Sequence, residues 1–139
     1  MDVIVEQKLD SDCKLVWKVI TDPNLMRNWF FENIPDFKAE VGFTTEFPVD
    51  SGERIFTHLW KIKEVIPGAK IVYEWRYKEY DGIGEVTFEL FHSEFGCIIR
   101  ITHSGLESFT QEIPEFSEES CRGGWNYFIK DRLTNYLNR

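Results

Sequence analysis

Two histidines and a group of aromatic residues with polar ends are the side chains of this sequence that could do chemistry. The aromatic residues fall in two alternating runs, Phe56/His58/Trp60 and Tyr73/Trp75/Tyr77. Aromatic pairs on neighbouring strands stabilise a sheet by about 0.2–1 kcal/mol each, so core packing is one interpretation. The other is a cavity for a flat or apolar ligand, oriented by Tyr hydroxyl, Trp N–H and His nitrogen atoms. So many polar ends are hard to satisfy in a dry core, which favours the cavity.

His58 and His103 are both expected on the inner face of the sheet. Neither lies in a metal-ligand spacing, and no GxSxG, P-loop or GxGxxG pattern occurs. An inward histidine is more often a hydrogen-bonded structural residue than a general base, which would need a substrate proton within about 3 Å. Cys97 and Cys121 are most simply small buried apolar groups. We therefore assign no catalytic residue, metal or cofactor, and leave open whether the protein is an enzyme, favouring a non-enzymatic role.

Arg132 falls near the middle of the apolar face of the last predicted helix when residues are placed at 100° each. One interpretation is that it binds an anionic group of a ligand. The other, which we favour, is that it pairs with an inward carboxylate such as Glu46 or Glu64.

The composition excludes several classes of partner. The 139 residues predict one domain, 1–139, and the net charge is −8 without a lysine or arginine cluster, which argues against nucleic acid and anionic membranes. There is no 18-residue apolar run or signal peptide pattern, so no membrane insertion is expected. The three cysteines form no CxxC pair or even framework, which favours reduced thiols and a cytoplasmic location.

The N-terminal third predicts a strand and two helices. Val3–Leu9 alternates as a strand, and Asp10 or Ser11 is expected to cap a helix that ends near Asp22. Asp22 can cap a second short helix that has Pro23 at its first position.

From Phe37 onward the hydrophobic period changes to two, which predicts six strands. Their predicted bounds, with turns at Pro48–Gly52, Pro67–Gly68, Asp81–Gly82 and Glu94–Gly96 between them, are Phe37–Val41, Phe43–Phe47, Arg54–Ile66, Lys70–Lys78, Glu85–His92 and Cys97–His103. With the first strand this makes about seven strands in an antiparallel sheet, an α+β fold with the aromatic side chains on its concave face.

The last predicted helix, Ser117–Leu137, is amphipathic over about five turns, with Ser117 as its N-cap. Such a helix needs a large apolar surface, and the curved sheet is the expected one. Gly123 and Gly124 lie in its first turns, where glycine costs about 1 kcal/mol each relative to alanine. Together with Arg132, they suggest that the helix closes over something other than a fully packed core.

An ordered series of short motifs resembles a known family. The motifs are Val16–Trp17, Thr21–Pro23, Trp29–Phe30, Ile62–Val65, Tyr73–Trp75, Thr102–Leu106, Gly124–Trp125, Leu133 and Tyr136–Leu137. They are similar to those of the bacterial single-domain proteins related to the activator of the heat-shock-90 ATPase, in the START-like, helix-grip superfamily. The resemblance covers nearly the whole chain. Trp60 departs from it, because family members often carry a small residue there, so the pocket could be partly filled.

The resemblance implies a fold in which a curved sheet grips the last helix and binds hydrophobic small molecules between the two. A polyketide cyclase or dehydratase activity and a chaperone-interaction role are alternatives that it leaves open, as is a homodimer. Our main expectation is a binding protein for a hydrophobic or aromatic small molecule. Its expected ligand-binding residues are Trp29, Phe56, His58, Trp60, Tyr73, Trp75, Tyr77, Phe88, His103, Trp125, Ile129 and Arg132.

Overall fold

The structure, a computed structural model, describes residues 2–138. It begins with strand β1 (Val3–Leu9) and helices α1 (Cys13–Thr21) and α2 (Pro23–Trp29). Five strands follow: β2 (Thr44–Asp50), β3 (Ile55–Ile66), β4 (Lys70–Tyr77), β5 (Tyr80–Ser93) and β6 (Gly96–Ser104). Two short 3-10 turns, Leu106–Ser108 and Pro114–Phe116, lie in the segment that leads to the C-terminal helix.

The C-terminal helix, residues 118–137, is continuous but not uniform. It is α-helical over Glu118–Trp125 (α3), π-helical over Asn126–Leu133, and α-helical again over Thr134–Leu137 (α4). Ser117 is its N-cap, as predicted, because the Ser117 hydroxyl oxygen accepts the Ser120 N–H at 3.1 Å.

All six strands belong to one antiparallel sheet in the order β1-β6-β5-β4-β3-β2. The predicted α+β helix-grip fold is confirmed: one face of the curved sheet packs against the C-terminal helix. The predicted alternation is also confirmed, because His58, Trp60, Tyr73 and Trp75 are all buried.

The two N-terminal helices begin at aspartate caps. Asp12, not Asp10 or Ser11, caps α1 by accepting the Leu15 N–H, and Asp22 caps α2 with Pro23 at its first position, as predicted. These helices bring Trp29 and Phe30 into the core, where the two rings stack with centroids 4.6 Å apart.

The predicted strand at Phe37–Val41 is wrong, so the sheet has six strands and not seven. Gly42 takes a left-handed φ of 92°. Of residues 37–43, Gly42 and Phe43 alone are hydrogen-bonded to β3: the Gly42 N–H donates to the Ile62 carbonyl oxygen, and the Phe43 carbonyl oxygen accepts the Ile62 N–H. Phe37 instead fills the core against Tyr73, with ring centroids 5.4 Å apart. Its apolar character reflects packing and not strand pairing.

The predicted turn at Asp81–Gly82 is also wrong, because the chain reverses at Lys78–Glu79 and β5 already includes Asp81 and Gly82. The Glu79 carboxylate holds the tighter turn by accepting the Thr57 N–H at 2.7 Å and the Thr57 hydroxyl. Gly82 is needed for another reason: a Cβ there would overlap the ring of Phe109.

Cys13 and Cys97 form a disulfide, so the expectation of three reduced thiols is wrong for these two. Their separation of 84 residues gives no local signal of pairing. The fold brings them together because Cys97 is paired with Leu9 at the end of β1, and α1 begins at Cys13. Cys121 is the free cysteine.

Candidate functional site

A cavity of about 130 Å³ lies between the sheet, the first turns of the C-terminal helix and the loop 105–116. Rings dominate its wall, and its polar groups belong to two histidines, one tyrosine and residues near the mouth. The lining residues are Phe31, His58, Trp75, Tyr77, His103, Leu106, Phe109, Glu115, Phe116, Ser120, Cys121, Gly124, Trp125 and Phe128.

His58 lies on β3, and one of its two ring nitrogens makes a hydrogen bond to the backbone. Its Nδ1 lies 3.0 Å from the carbonyl oxygen of Phe56, an acceptor, so the proton of the neutral ring is on Nδ1 and Nε2 carries a lone pair. Burial lowers the pKa of His58 to about 4, against the weaker opposing effects of the Phe56 hydrogen bond and the Glu79 charge. His58 is therefore a neutral acceptor at pH 7.

His103, on β6, has the opposite tautomer. The Trp125 indole N–H, which can only donate, lies 3.0 Å from His103 Nδ1. The proton of the neutral ring is therefore on Nε2, which is buried and has no hydrogen-bond partner within residues 2–138. Burial, and then the nearby His58, lower the pKa of His103 to about 4. His103 is a neutral donor at pH 7.

Cys121 lies beside this pair, with Sγ 3.3 Å from His103 Nδ1. Burial raises the pKa of the Cys121 thiol to about 12, in spite of the Trp125 hydrogen bond and the charge of Arg122. A nucleophilic cysteine needs a thiolate near neutral pH, and neither the thiol nor the imidazole of this contact favours an ion pair. The contact therefore does not form a Cys–His catalytic pair.

Trp75 lies between the two histidines, with ring centroids 5.3 Å from His58 and 5.4 Å from His103. Its indole N–H donates to the Tyr77 hydroxyl at 2.8 Å. Because the Tyr77 hydroxyl oxygen is the acceptor in this bond, its O–H remains available to donate to another group. Burial raises the pKa of Tyr77, so the hydroxyl stays protonated.

The polar side of the mouth is formed by Glu115 and Ser120. The Glu115 carboxylate accepts from Arg54 at 3.0 Å and from the Ser51 hydroxyl at 3.3 Å, which ties loop 105–116 to the β2–β3 turn. The amide of Gln111, which lies in the same loop, can donate to the backbone oxygens of Leu106, Phe109 and Phe116.

Five of the residues expected to bind a ligand line this cavity together: His58, Trp75, Tyr77, His103 and Trp125. Six others lie outside its wall. Trp29, Trp60, Tyr73, Phe88 and Ile129 pack in the main core, and Phe56 packs with Phe109 and Phe116 in a second cluster. The Trp60 Nε1 and Tyr73 hydroxyl are buried without partners. Trp60 thus packs in the core and not in the cavity wall.

Arg132 lies outside the cavity wall, and its predicted pairing with Glu46 or Glu64 is wrong. It donates to the Asn28 carbonyl oxygen at 3.0 Å and to the Tyr127 hydroxyl at 3.2 Å, whereas Glu46 contacts Lys78 and Glu64 contacts Lys70. The π-helical segment explains the error. Its hydrogen bonds span five residues, so angles assigned at 100° per residue drift, and Arg132 meets Tyr127, five positions earlier.

Sequence reasoning missed the cavity residues that come from the connecting loop and from the first turns of the last helix. Phe109 and Phe116 lie in a segment without a repeating pattern, although two buried phenylalanines in a polar loop are themselves a signal. Gly124, a residue that is unfavourable inside a helix, forms part of the cavity wall.

The curved sheet, the long C-terminal helix and the cavity between them define a START-like, helix-grip protein. Residues 10–138 match the family described as Activator of Hsp90 ATPase homolog 1-like protein, and the chain belongs to this family. The family resemblance expected from the sequence motifs is confirmed.

Solved structures of bacterial proteins share the fold. A Mesorhizobium loti protein is 25% identical, with a TM-score of 0.79 over 100% of this chain and 98% of its own. A Chromobacterium violaceum protein is 20% identical, with a TM-score of 0.81 over 99% of this chain and 97% of its own. The Aha1 dimer from Colwellia psychrerythraea is 17% identical, with a TM-score of 0.76 over 99% of this chain and 96% of that one.

No curated protein matches the chain at a significant level. Within residues 2–138, none of the helices has both the length and the apolarity that crossing a membrane requires.

Proposed function

We propose that the protein binds a small, uncharged aromatic or apolar molecule in the cavity under the C-terminal helix. The observation that carries this proposal is that the cavity is lined by rings and, apart from Glu115 at the mouth, by polar groups that are neutral at pH 7. Two neutral histidines of opposite tautomer and a protonated tyrosine supply acceptor and donor atoms. An apolar wall with a few polar groups is typical of small-molecule sites.

The size of the cavity limits the ligand to about one ring. An apolar cavity of about 150 Å³ in another protein binds benzene, and the 130 Å³ here is similar. A larger ligand would have to extend through the mouth beside Gly124 and Ser120 or displace a side chain.

Charge also limits the ligand. None of the lining residues, all of which belong to the described chain, is a lysine or arginine. A buried anion would therefore lose its hydration without a paired cation, which is strongly unfavourable. Glu115 at the mouth already has Arg54 as its partner. These features favour neutral ligands over carboxylates and phosphates.

The experiment compares two neighbouring glycines of one helix. A Cβ at either Gly123 or Gly124 meets no atom within 4 Å, but only Gly124 lines the cavity. Toluene, phenol and benzyl alcohol are titrated against wild type, Gly124→Leu and Gly123→Leu, with tryptophan fluorescence and the melting temperature as readouts. We expect binding to wild type and Gly123→Leu, and at least tenfold weaker binding to Gly124→Leu. No binding by any probe, or equal binding by all three proteins, would reject the cavity as the binding site.

Acid–base catalysis, as in a cyclase or dehydratase, is a second candidate, favoured by the presence of His58 and His103 in the same cavity with opposite proton positions. A β-hydroxyketone such as 4-hydroxy-4-phenylbutan-2-one would lose water to give a conjugated enone, which absorbs in the near ultraviolet. If this candidate is correct, the rate exceeds the buffer rate and falls by about 10²-fold or more in His58→Gln. A rate equal to that of buffer ends it.

A homodimer is a further proposal, supported by the relative that was solved as a dimer. Sedimentation equilibrium tests it: a mass near 16.5 kDa at micromolar concentration would indicate a monomer.

A further inference from the structure

The Nε2–H of His103 is a buried donor that no other group of the described chain accepts. His103 is 4% exposed, and its tautomer is fixed by the Trp125 N–H on the other ring nitrogen. Burying a donor without a partner costs about 1–3 kcal/mol, and most buried polar groups in proteins avoid it. A feature of this kind at a ligand cavity indicates a partner that is not part of the chain.

The ring of Phe109 lies near this donor, on the same side of Gly84. A Cβ built on Gly84 would be 3.1 Å from His103 Nε2, 3.2 Å from the Ser104 carbonyl oxygen and 3.4 Å from Phe109 Cε2. Gly82 lies two residues earlier on β5, and a Cβ at this position would overlap the Phe109 ring. Phe109 is therefore a neighbour of this donor but not a hydrogen-bond partner of it.

Phe109 lies on a loop and not on the sheet. The preceding residue, Ser108, is fixed to β5: its hydroxyl accepts the Ile83 N–H at 2.9 Å and can donate to the Ile83 carbonyl oxygen at 3.0 Å. The following residues, Thr110 and Gln111, are exposed. Moving the Phe109 side chain would break no strand hydrogen bond, but it would separate its ring from Tyr77 and Phe116, whose ring centroids lie 5.5 and 5.2 Å away. Its departure would add about one ring to the space of the cavity.

We propose that the ligand carries a carbonyl oxygen next to its aromatic ring, and that this oxygen accepts the His103 Nε2–H after the Phe109 ring moves aside. This inference rests on the proposed function, since it places a functional group of the ligand in the same cavity. It makes His103 the residue that determines specificity and Phe109 the side chain that the ligand replaces.

The test uses two probes of nearly equal shape, acetophenone and isopropylbenzene, of which only the first has a carbonyl group. Affinities are measured by tryptophan fluorescence, and the imidazole ¹⁵N signals of His103 are followed by NMR. We expect acetophenone to bind wild type about tenfold more tightly, the value typical of one buried hydrogen bond. Only acetophenone should shift the His103 Nε2 signal, and the free protein should show the Nε2–H tautomer.

Two variants separate the roles of donor and ring. Gly84→Ala places a methyl group beside Nε2, so it should remove the preference for acetophenone while isopropylbenzene still binds. Phe109→Leu should strengthen the binding of both probes and keep the preference. Gly123→Ala, which changes no contact, is the control for helix effects, and melting curves confirm that each variant is folded.

The possible failures are distinguishable. Equal affinities for the two probes, without a ¹⁵N shift, or a His103 protonated on Nδ1, would overturn this inference and leave the proposed function in place. No binding of either probe to wild type or to Phe109→Leu would overturn both.

Discussion

His58 and His103 show how one hydrogen bond can decide the chemical role of a neutral imidazole. The Phe56 carbonyl oxygen makes His58 a donor at Nδ1, whereas the Trp125 N–H makes His103 an acceptor at the same atom. The two Nε2 atoms consequently have opposite character in one cavity. Desolvation keeps both rings uncharged at neutral pH, so the cavity can offer a donor and an acceptor without a buried charge.

The pKa values of these histidines predict a loss of stability in mild acid. The folded pKa is lowered to about 4 from a normal 6.5, so the unfolded chain binds protons that the folded chain does not between these values. Stability is therefore greatest above pH 6.5 and falls as the pH decreases toward 4, by up to about 3 kcal/mol per histidine. Urea unfolding at pH 7.0 and 5.0 measures this loss.

The variant His58→Gln separates the contribution of His58 to this pH dependence from that of the carboxylates, which also titrate in acid. Its stability should depend less on pH than that of wild type between 7.0 and 5.0. NMR provides an independent check, because the ring protons of His58 and His103 should not titrate above pH 5. A midpoint near 6.5 for either residue would contradict the assignment.

At the scale of secondary structure, alternation and capping residues predicted most of the elements. Val3–Leu9 is a strand with the predicted bounds, and Asp22 and Ser117 are the predicted caps. These features depend on residues close in sequence. The strand predicted at Phe37–Val41 failed because an apolar residue can be buried by packing as well as by pairing, and the pattern does not separate the two.

The candidate site was less predictable, because it depends on contacts between distant segments. Strand periodicity identified the cavity-lining His58 and Trp75, but Phe109 and Glu115 reach the cavity from a loop whose path depends on Gly82 and Arg54. The π-helical segment moved Arg132 away from its predicted position for a similar reason. No local pattern encodes these arrangements.

The two glycines of the C-terminal helix predict different effects on stability and binding. A Cβ at Gly123 meets no atom within 4 Å, and the residue is exposed. Gly123→Ala should therefore stabilise the protein by about 1 kcal/mol, since alanine favours a helix over glycine. The melting temperature should rise by about 3 °C. A decrease would mean that glycine is required at this position for a reason that the backbone does not show.

At the scale of the whole molecule, the fold connects distant parts of the chain through the sheet. The first strand pairs with the last, and the Cys13–Cys97 disulfide links the start of α1 to β6 beside this pairing. The cytoplasmic location expected from the sequence assumed reduced cysteines, and this premise does not hold for Cys13 and Cys97. The cross-link lies at the opposite end of β6 from His103, so it supports the sheet and not the cavity.

The disulfide closes a long segment of chain, because its cysteines are separated by 84 positions in the sequence. It should therefore stabilise the oxidised protein by about 2–4 kcal/mol, mainly by restricting the unfolded state.

Oxidised wild type denatured without reductant should show one reactive thiol per chain, from Cys121. Its urea midpoint should fall on addition of dithiothreitol to that of the double variant Cys13→Ala/Cys97→Ala. Cys121→Ala is the matched control and should keep the full response to reductant, because its thiol takes no part in the cross-link. Three reactive thiols in protein purified without reductant, or a midpoint that dithiothreitol does not change, would contradict a disulfide between these residues.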